Sequence, residues 1–109
     1  MSYSKQKPRP ELLQGKTLKV ETGCGDSYVT VNSDEDGPFE VFMASGKAGI
    51  CAHSQCASLG VLISALLRLN CDPRSIVKKL KGITCQQRIS CADAVARALE
   101  QVINEKGGE

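Results

Sequence analysis

The hydrophobic period of this chain changes once, just past residue 45, and that single change limits the folds open to it. Across residues 16–44 apolar side chains recur at every second position. Leu18 and Val20 come first, then Val29 and Val31 within the β-branched run 28–32, then residues 39–44. Period two is the pattern of strands that bury one face. Gly23-Cys24-Gly25 predicts a turn after the first strand, and residues 33–38 a hairpin connection of moderate length. Pro38 stands at the start of the third strand, where a missing backbone donor is tolerated.

Beyond the glycine-bearing loop 45–50 the period becomes helical. A helix is predicted over residues 52–69, with Leu59, Leu62, Ile63, Leu66 and Leu67 as a broad apolar stripe and Asn70 closing it. Asp72-Pro73 reads as an N-cap followed by proline at the first helical position. The short helix that follows holds Ile76, Val77 and Leu80. Lys78, Lys79 and Lys81 cluster at its end, where cations suit the helix dipole without any phosphate to bind. Residues 82–89 read as a loop containing Cys85. Ser90 caps a last helix, with Asp93 at capping-box spacing and Ala92, Val95, Ala96, Leu99, Val102 and Ile103 on one face. The expected fold is α+β: a small antiparallel sheet of about three strands, then three helices packed on one face. The division expected is a basic flexible arm or linker over 1–15, a single domain over 16–105 and a frayed tail over 106–109.

Composition narrows the function. Apolar residues make up 41% of the 109 and charged residues 24%, as in folded globular domains rather than disordered chains. With two Phe, two Tyr and no Trp, the core must rest on Leu, Ile, Val and Ala. The longest apolar stretch, 59–67, is interrupted by Gly60 and Ser64, so no membrane span is expected. The polar first ten residues lack the hydrophobic region of a signal peptide, which leads to the expectation of a cytoplasmic protein. Net charge is +2, yet residues 20–40 hold six acids and no base, while Lys5, Lys7, Arg9, Lys16 and Lys19 crowd the first nineteen positions. A solvated tail is the plainer reading of that basic arm, and contact with an acidic partner the other. No aromatic residues alternate with the bases, so a stacking surface for single-stranded nucleic acid is not supported.

Six cysteines occur, at 24, 51, 56, 71, 85 and 91, with no CxxC pair. In a reducing compartment they read as thiols or metal ligands rather than a disulfide framework. Spacing alone gives a weak zinc signal, because structural zinc sites usually draw ligands from close pairs. Position says more. Cys24 falls in a glycine turn, Cys51 before the long helix, Cys85 in the loop leading to a cap and Cys91 just after it. Helix N-termini favour thiolates, the form that metals and redox exchange both require. Cys56 lies inside the long helix and Cys71 in a helix connection, where cysteine packs as a small hydrophobe. His53 stands beside Cys51 as an auxiliary ligand or activating group, or as an ordinary surface residue. Lys47 in Gly46-Lys47-Ala48-Gly49 precedes a helix as phosphate loops do, but Val41 and Ala48 stand where a Walker motif needs glycine and Ser or Thr. With one histidine and acids confined to a hairpin, no catalytic constellation emerges.

The ordered series Thr22-Gly23-Cys24-Gly25, Tyr28-Val29-Thr30-Val31-Asn32, Phe39-Glu40-Val41-Phe42, Gly46-Lys47-Ala48-Gly49 with Cys51, Leu80-Lys81-Gly82-Ile83-Thr84-Cys85 and Ser90-Cys91-Ala92-Asp93-Ala94 resembles the TSCPD domain. That domain lies near the C-terminus of adenosylcobalamin-dependent, class II ribonucleotide reductases. The resemblance runs over about residues 8–103. It implies that Cys24, Cys51, Cys85 and Cys91, shared with small stand-alone relatives, form one set, and four thiolates suit a closed tetrahedral zinc site, with iron as the other metal such a set accepts. Ala92 replaces the proline of the family's Ser-Cys-Pro-Asp. The reductase core is missing: there is no finger-loop cysteine, cobalamin site or nucleotide pocket.

Three functional expectations follow. The first is a non-catalytic, zinc-stabilised accessory domain, related to the reductase C-terminal domain and serving deoxyribonucleotide synthesis. The second is a dithiol relay in which Cys85 and Cys91 pass electrons between a thioredoxin-like protein and a ribonucleotide reductase. The third is a nucleotide- or nucleic-acid-binding accessory built on the basic arm and Lys47. A homodimer is compatible with each, and nucleic acid is the least supported partner.

Overall fold

The computed structural model describes residues 3–22, 25–45, 50–85 and 88–107. Three antiparallel strands, β1 (Gln14–Thr22), β2 (Gly25–Asp34) and β3 (Gly37–Ser45), form a sheet in the order β1-β2-β3. Three helices follow: α1 (Ile50–Arg68), α2 (Pro73–Leu80) and α3 (Cys91–Gly107). A two-residue ladder, β4 (Thr84–Cys85) with β5 (Arg88–Ile89), precedes α3. The expected α+β fold is the one observed, and no described helix is long and apolar enough to cross a membrane.

The alternation in the sequence puts Val20, Val29, Val31, Phe39, Val41 and Met43 on one buried face of the sheet. α1 and α3 cover that face, and α2 packs on α3. Ile63, Leu67, Val95, Ala98, Leu99 and Ile103 supply the helical half of the core. Full burial of such side chains is worth roughly 1.5–3 kcal/mol each, which lets an aromatic-poor core hold a chain of this size.

Close approach of α1 to β3 depends on two small residues. A methyl group at Gly60 would come within 3.1 Å of the Val41 carbonyl oxygen. One turn later the Ser64 hydroxyl accepts from the Val41 N–H at 2.9 Å and donates to its carbonyl at 3.1 Å. Residues further along α1 meet earlier residues of β3, so the two elements run antiparallel. The start of α1 therefore lies at the Ser45 end of the sheet. Register places Thr22 and Gly25 at that same end, since Thr22 pairs with Gly25 and Ser27 with Ser45.

Several local expectations change. β2 and β3 extend further than predicted, so Asp34 pairs with Gly37 and only Glu35-Asp36 form the turn. Gly37 takes φ 131°, a conformation that other residues rarely adopt. Residues 82–89 are not a plain loop, because β4 and β5 pair within them. Ser90 does cap α3, accepting from the Asp93 N–H at 3.1 Å. Asp93 does not return the bond of a capping box. It is buried, and its carboxylate accepts from the Gly82 N–H at 3.1 Å and from Arg97 at 3.2 Å. The apolar stripe of α1 is only half covered: Ile63 and Leu67 are buried, while Leu62 and Leu66 are exposed. α1 ends as expected at Asn70, in the left-handed region at φ 66°, with the Cys71 N–H bonded to the Leu66 carbonyl in a Schellman closure.

Residues 3–13 have no regular secondary structure, yet Lys7 and Arg9 are tied to the domain. The Arg68 guanidinium donates to the Lys7 carbonyl at 2.8 Å, and the Lys7 N–H donates to the Arg68 carbonyl at 2.9 Å. Both cations stand 5.4 Å from the Phe39 ring centroid. Lys7 reaches Asp34 at 3.3 Å, and Arg9 forks onto Glu40 with a shortest distance of 2.8 Å. Glu40 is buried and also accepts from the Asn32 amide at 2.9 Å. Burial by itself would raise the Glu40 pKa, but the bonds from Arg9 and Asn32 outweigh it and hold the carboxyl below its ordinary range. Gly15 makes room for this arrangement, since a side chain there would collide with the Asn32 amide and the Val31 carbonyl.

Candidate functional site

The described candidate ligands lie in the first turns of two helices and in a short strand. Cys51 and His53 are in the first turn of α1, and Cys85 is in β4, paired with Arg88; all three are placed by their backbone. Cys91 is the first residue of α3, directly after the Ser90 cap. The Ser90 hydroxyl also donates to the Ile83 carbonyl, tying the segment that leads into β4 to the start of α3. Cys24 and Lys47 lie outside the described residues. The sheet ladder runs up to Thr22 and Gly25, which flank Gly23 and Cys24 in sequence.

Topology brings the starts of α1 and α3 toward one end of the sheet. The start of α1 and the Thr22/Gly25 end of the β1–β2 ladder share one end of the sheet. The start of α3 joins them through a direct sulfur contact: Cys91 Sγ lies 2.7 Å from Cys56 Sγ, across 35 residues of sequence. Cys56 is five residues beyond Cys51 on α1, about 7.5 Å along the helix axis. It is 2% exposed, whereas Cys91 is partly exposed.

The sequence reading assigned Cys56 a packing role, and it does belong to the core cluster. Its contact with Cys91 is additional and was missed. No local pattern could have shown it, because helical period says which residues share a face but not which distant thiol that face meets. Cys71 packs against the core after the opposite end of α1, with its thiol 3.9 Å from the Asp72 carbonyl.

Ser27 marks the same end of the sheet, on the inner face opposite Val20 and Ser45. Its side-chain oxygen is buried and has no hydrogen-bond partner among the described residues. An unsatisfied buried hydroxyl costs about 1–3 kcal/mol, so a donor at this position is suited to an acceptor that the protein's own described groups do not supply. By donor chemistry four cysteine thiolates suit a closed tetrahedral metal site, while among the described residues no group of three or more His, Cys, Asp or Glu is placed to hold a metal ion.

Comparison with known proteins agrees with the series of motifs. No curated protein and no solved structure matches the chain. The TSCPD domain matches residues 1–103 of 109, and the chain belongs to that family.

Proposed function

We propose that this chain is a non-catalytic accessory domain whose fold is completed by zinc, or by iron, held by Cys24, Cys51, Cys85 and Cys91. Membership of the TSCPD family relates it to the ribonucleotide reductases. Its partner in this reading is a reductase, or a thioredoxin-like protein serving one, in the cytoplasm, where deoxyribonucleotides are made and thiols stay reduced. The observation that carries the reading is the meeting of α1 and α3 at Cys56 and Cys91, beside the sheet end where the ladder reaches Thr22 and Gly25. It brings α1, which carries Cys51 in its first turn, against α3, whose first residue is Cys91.

A metal there would supply folding free energy and cross-link segments far apart in sequence. The chain's own residues do the rest. Ser90 fixes the start of α3, and Asp93 holds Gly82 and so steadies the approach to Cys85. His53 and Lys47 are auxiliary at most.

Elemental analysis of protein purified without added metal tests the reading. The expected result is about one zinc or iron per chain, as a closed four-thiolate site requires. Less than about 0.2 metal per chain, with folding indifferent to a chelator, overturns it, because a structural metal is coupled to folding.

A further inference from the structure

Four cysteines suffice for a tetrahedral site, so the fifth sulfur beside Cys91 needs its own account. We infer that Cys56 and Cys91 form a reversible dithiol–disulfide pair, oxidised by hydroperoxides. The two thiols lie on different helices with their sulfurs 2.7 Å apart. A disulfide needs about 2.05 Å between sulfurs, so bond formation requires only a further short approach of the two sulfurs. Their exposures differ in a useful way. Cys91 is partly exposed and meets a small solute first, while Cys56 is 2% exposed and stands behind it.

The chemistry balances in two steps. The Cys91 thiol attacks the peroxide O–O bond and becomes a sulfenic acid, releasing water from hydrogen peroxide or an alcohol from an organic hydroperoxide. The Cys56 thiol then attacks the Cys91 sulfur, forming the S–S bond and expelling the sulfenic oxygen as water. One hydroperoxide is reduced by two electrons and two thiols are oxidised to one disulfide. A dithiol reductant reverses the change by exchange through a mixed disulfide. A buried second thiol at contact distance favours capture of the sulfenic acid over further oxidation.

One consequence rests on the metal reading above. Cys91 cannot serve as a thiolate ligand while bonded to Cys56. Oxidation would therefore remove one of four ligands and release the metal, making the site responsive to peroxide.

The test treats the purified full-length chain with increasing hydrogen peroxide, blocks remaining thiols by alkylation and maps cross-linked peptides by mass spectrometry, with released metal followed by a colorimetric chelator. The expected result is a peptide pair joined through Cys56 and Cys91 that disappears on dithiothreitol treatment. Metal release should track the cross-link in the unmodified chain, and in Cys56→Ala irreversible Cys91 oxidation should replace the cross-link, so that dithiothreitol no longer restores the thiol. Mapping on the unmodified chain decides the matter even if that variant folds poorly. A cross-link joining Cys91 to another cysteine, or irreversible Cys91 oxidation with Cys56 still alkylated, overturns the pair while leaving the metal reading intact. The Cys56–Cys91 cross-link in a protein that never held metal supports the pair and overturns the metal reading.

Discussion

The two ends of α1 are held by different chemistry. At its C-terminal end, Arg68 and Lys7 bracket Phe39, and nearby Arg9 and Asn32 fasten the buried Glu40. Those contacts need only water near neutral pH, where the carboxylates are ionised. Toward its N-terminal end the described side chains offer sulfur: Cys56 against Cys91, with the Ser27 hydroxyl, which has no partner among the described residues, at the same end of the sheet. In the function proposed above, that end is completed by what the thiols bind or become, so metal or oxidant should act on it while sparing the other.

The largest expected effect is from metal removal. A chelator should raise hydrogen exchange in the first turns of α1 and α3 by an order of magnitude or more, while amides around Phe39 and Arg68 stay protected, since structural metal sites contribute several kcal/mol of folding free energy. Equal loss of protection at both ends would break the contrast. Next comes Gly60→Val, which pushes α1 off the Val41 carbonyl between the two ends. Overpacking of this kind costs about 1–3 kcal/mol, readable by chemical denaturation. Both ends should weaken together, because the helix that connects them is displaced.

Arg9→Ala should lower stability at neutral pH, read by chemical denaturation, since it removes the main partner of a buried carboxylate. Its pH dependence has a definite sign. Glu40 has a lowered pKa in the folded chain, so its contribution is complete above the ordinary glutamate value of 4.5 and is lost as pH falls toward the folded value. Denaturation at neutral and at acid pH should show the difference between the unmodified chain and Glu40→Gln narrowing as acid is added. A constant difference would mean that Glu40 contributes by packing alone. The smallest effect is expected from Ser64→Ala, about 1 kcal/mol for the lost bonds to Val41, with metal content unchanged.

How much of this was legible in the sequence differs from residue to residue. Val29, Val31 and Val41 could be placed on a buried face by alternation alone, and Asp72-Pro73 announced α2 correctly, with the Asp72 side chain accepting from the Arg74 N–H. Leu62 and Leu66 were misjudged, because a helical stripe says which residues align and not how widely the sheet beneath will cover them. Asp93 kept its position but not its partner. A capping box is a local geometry, whereas the Gly82 N–H arrives from eleven residues earlier.

The candidate site divides in the same way. The order of motifs and the four cysteines at 24, 51, 85 and 91 are properties of the sequence, as are strand and helix periods, since each is set by near neighbours and backbone preference. Tertiary structure alone decided that the arm docks through Lys7 and Arg9, that Asn32 reaches Glu40 over Gly15, and that Cys56 meets Cys91. Such contacts depend on how an element is rotated and where a distant one is seated. Those two quantities are settled only when the whole core packs.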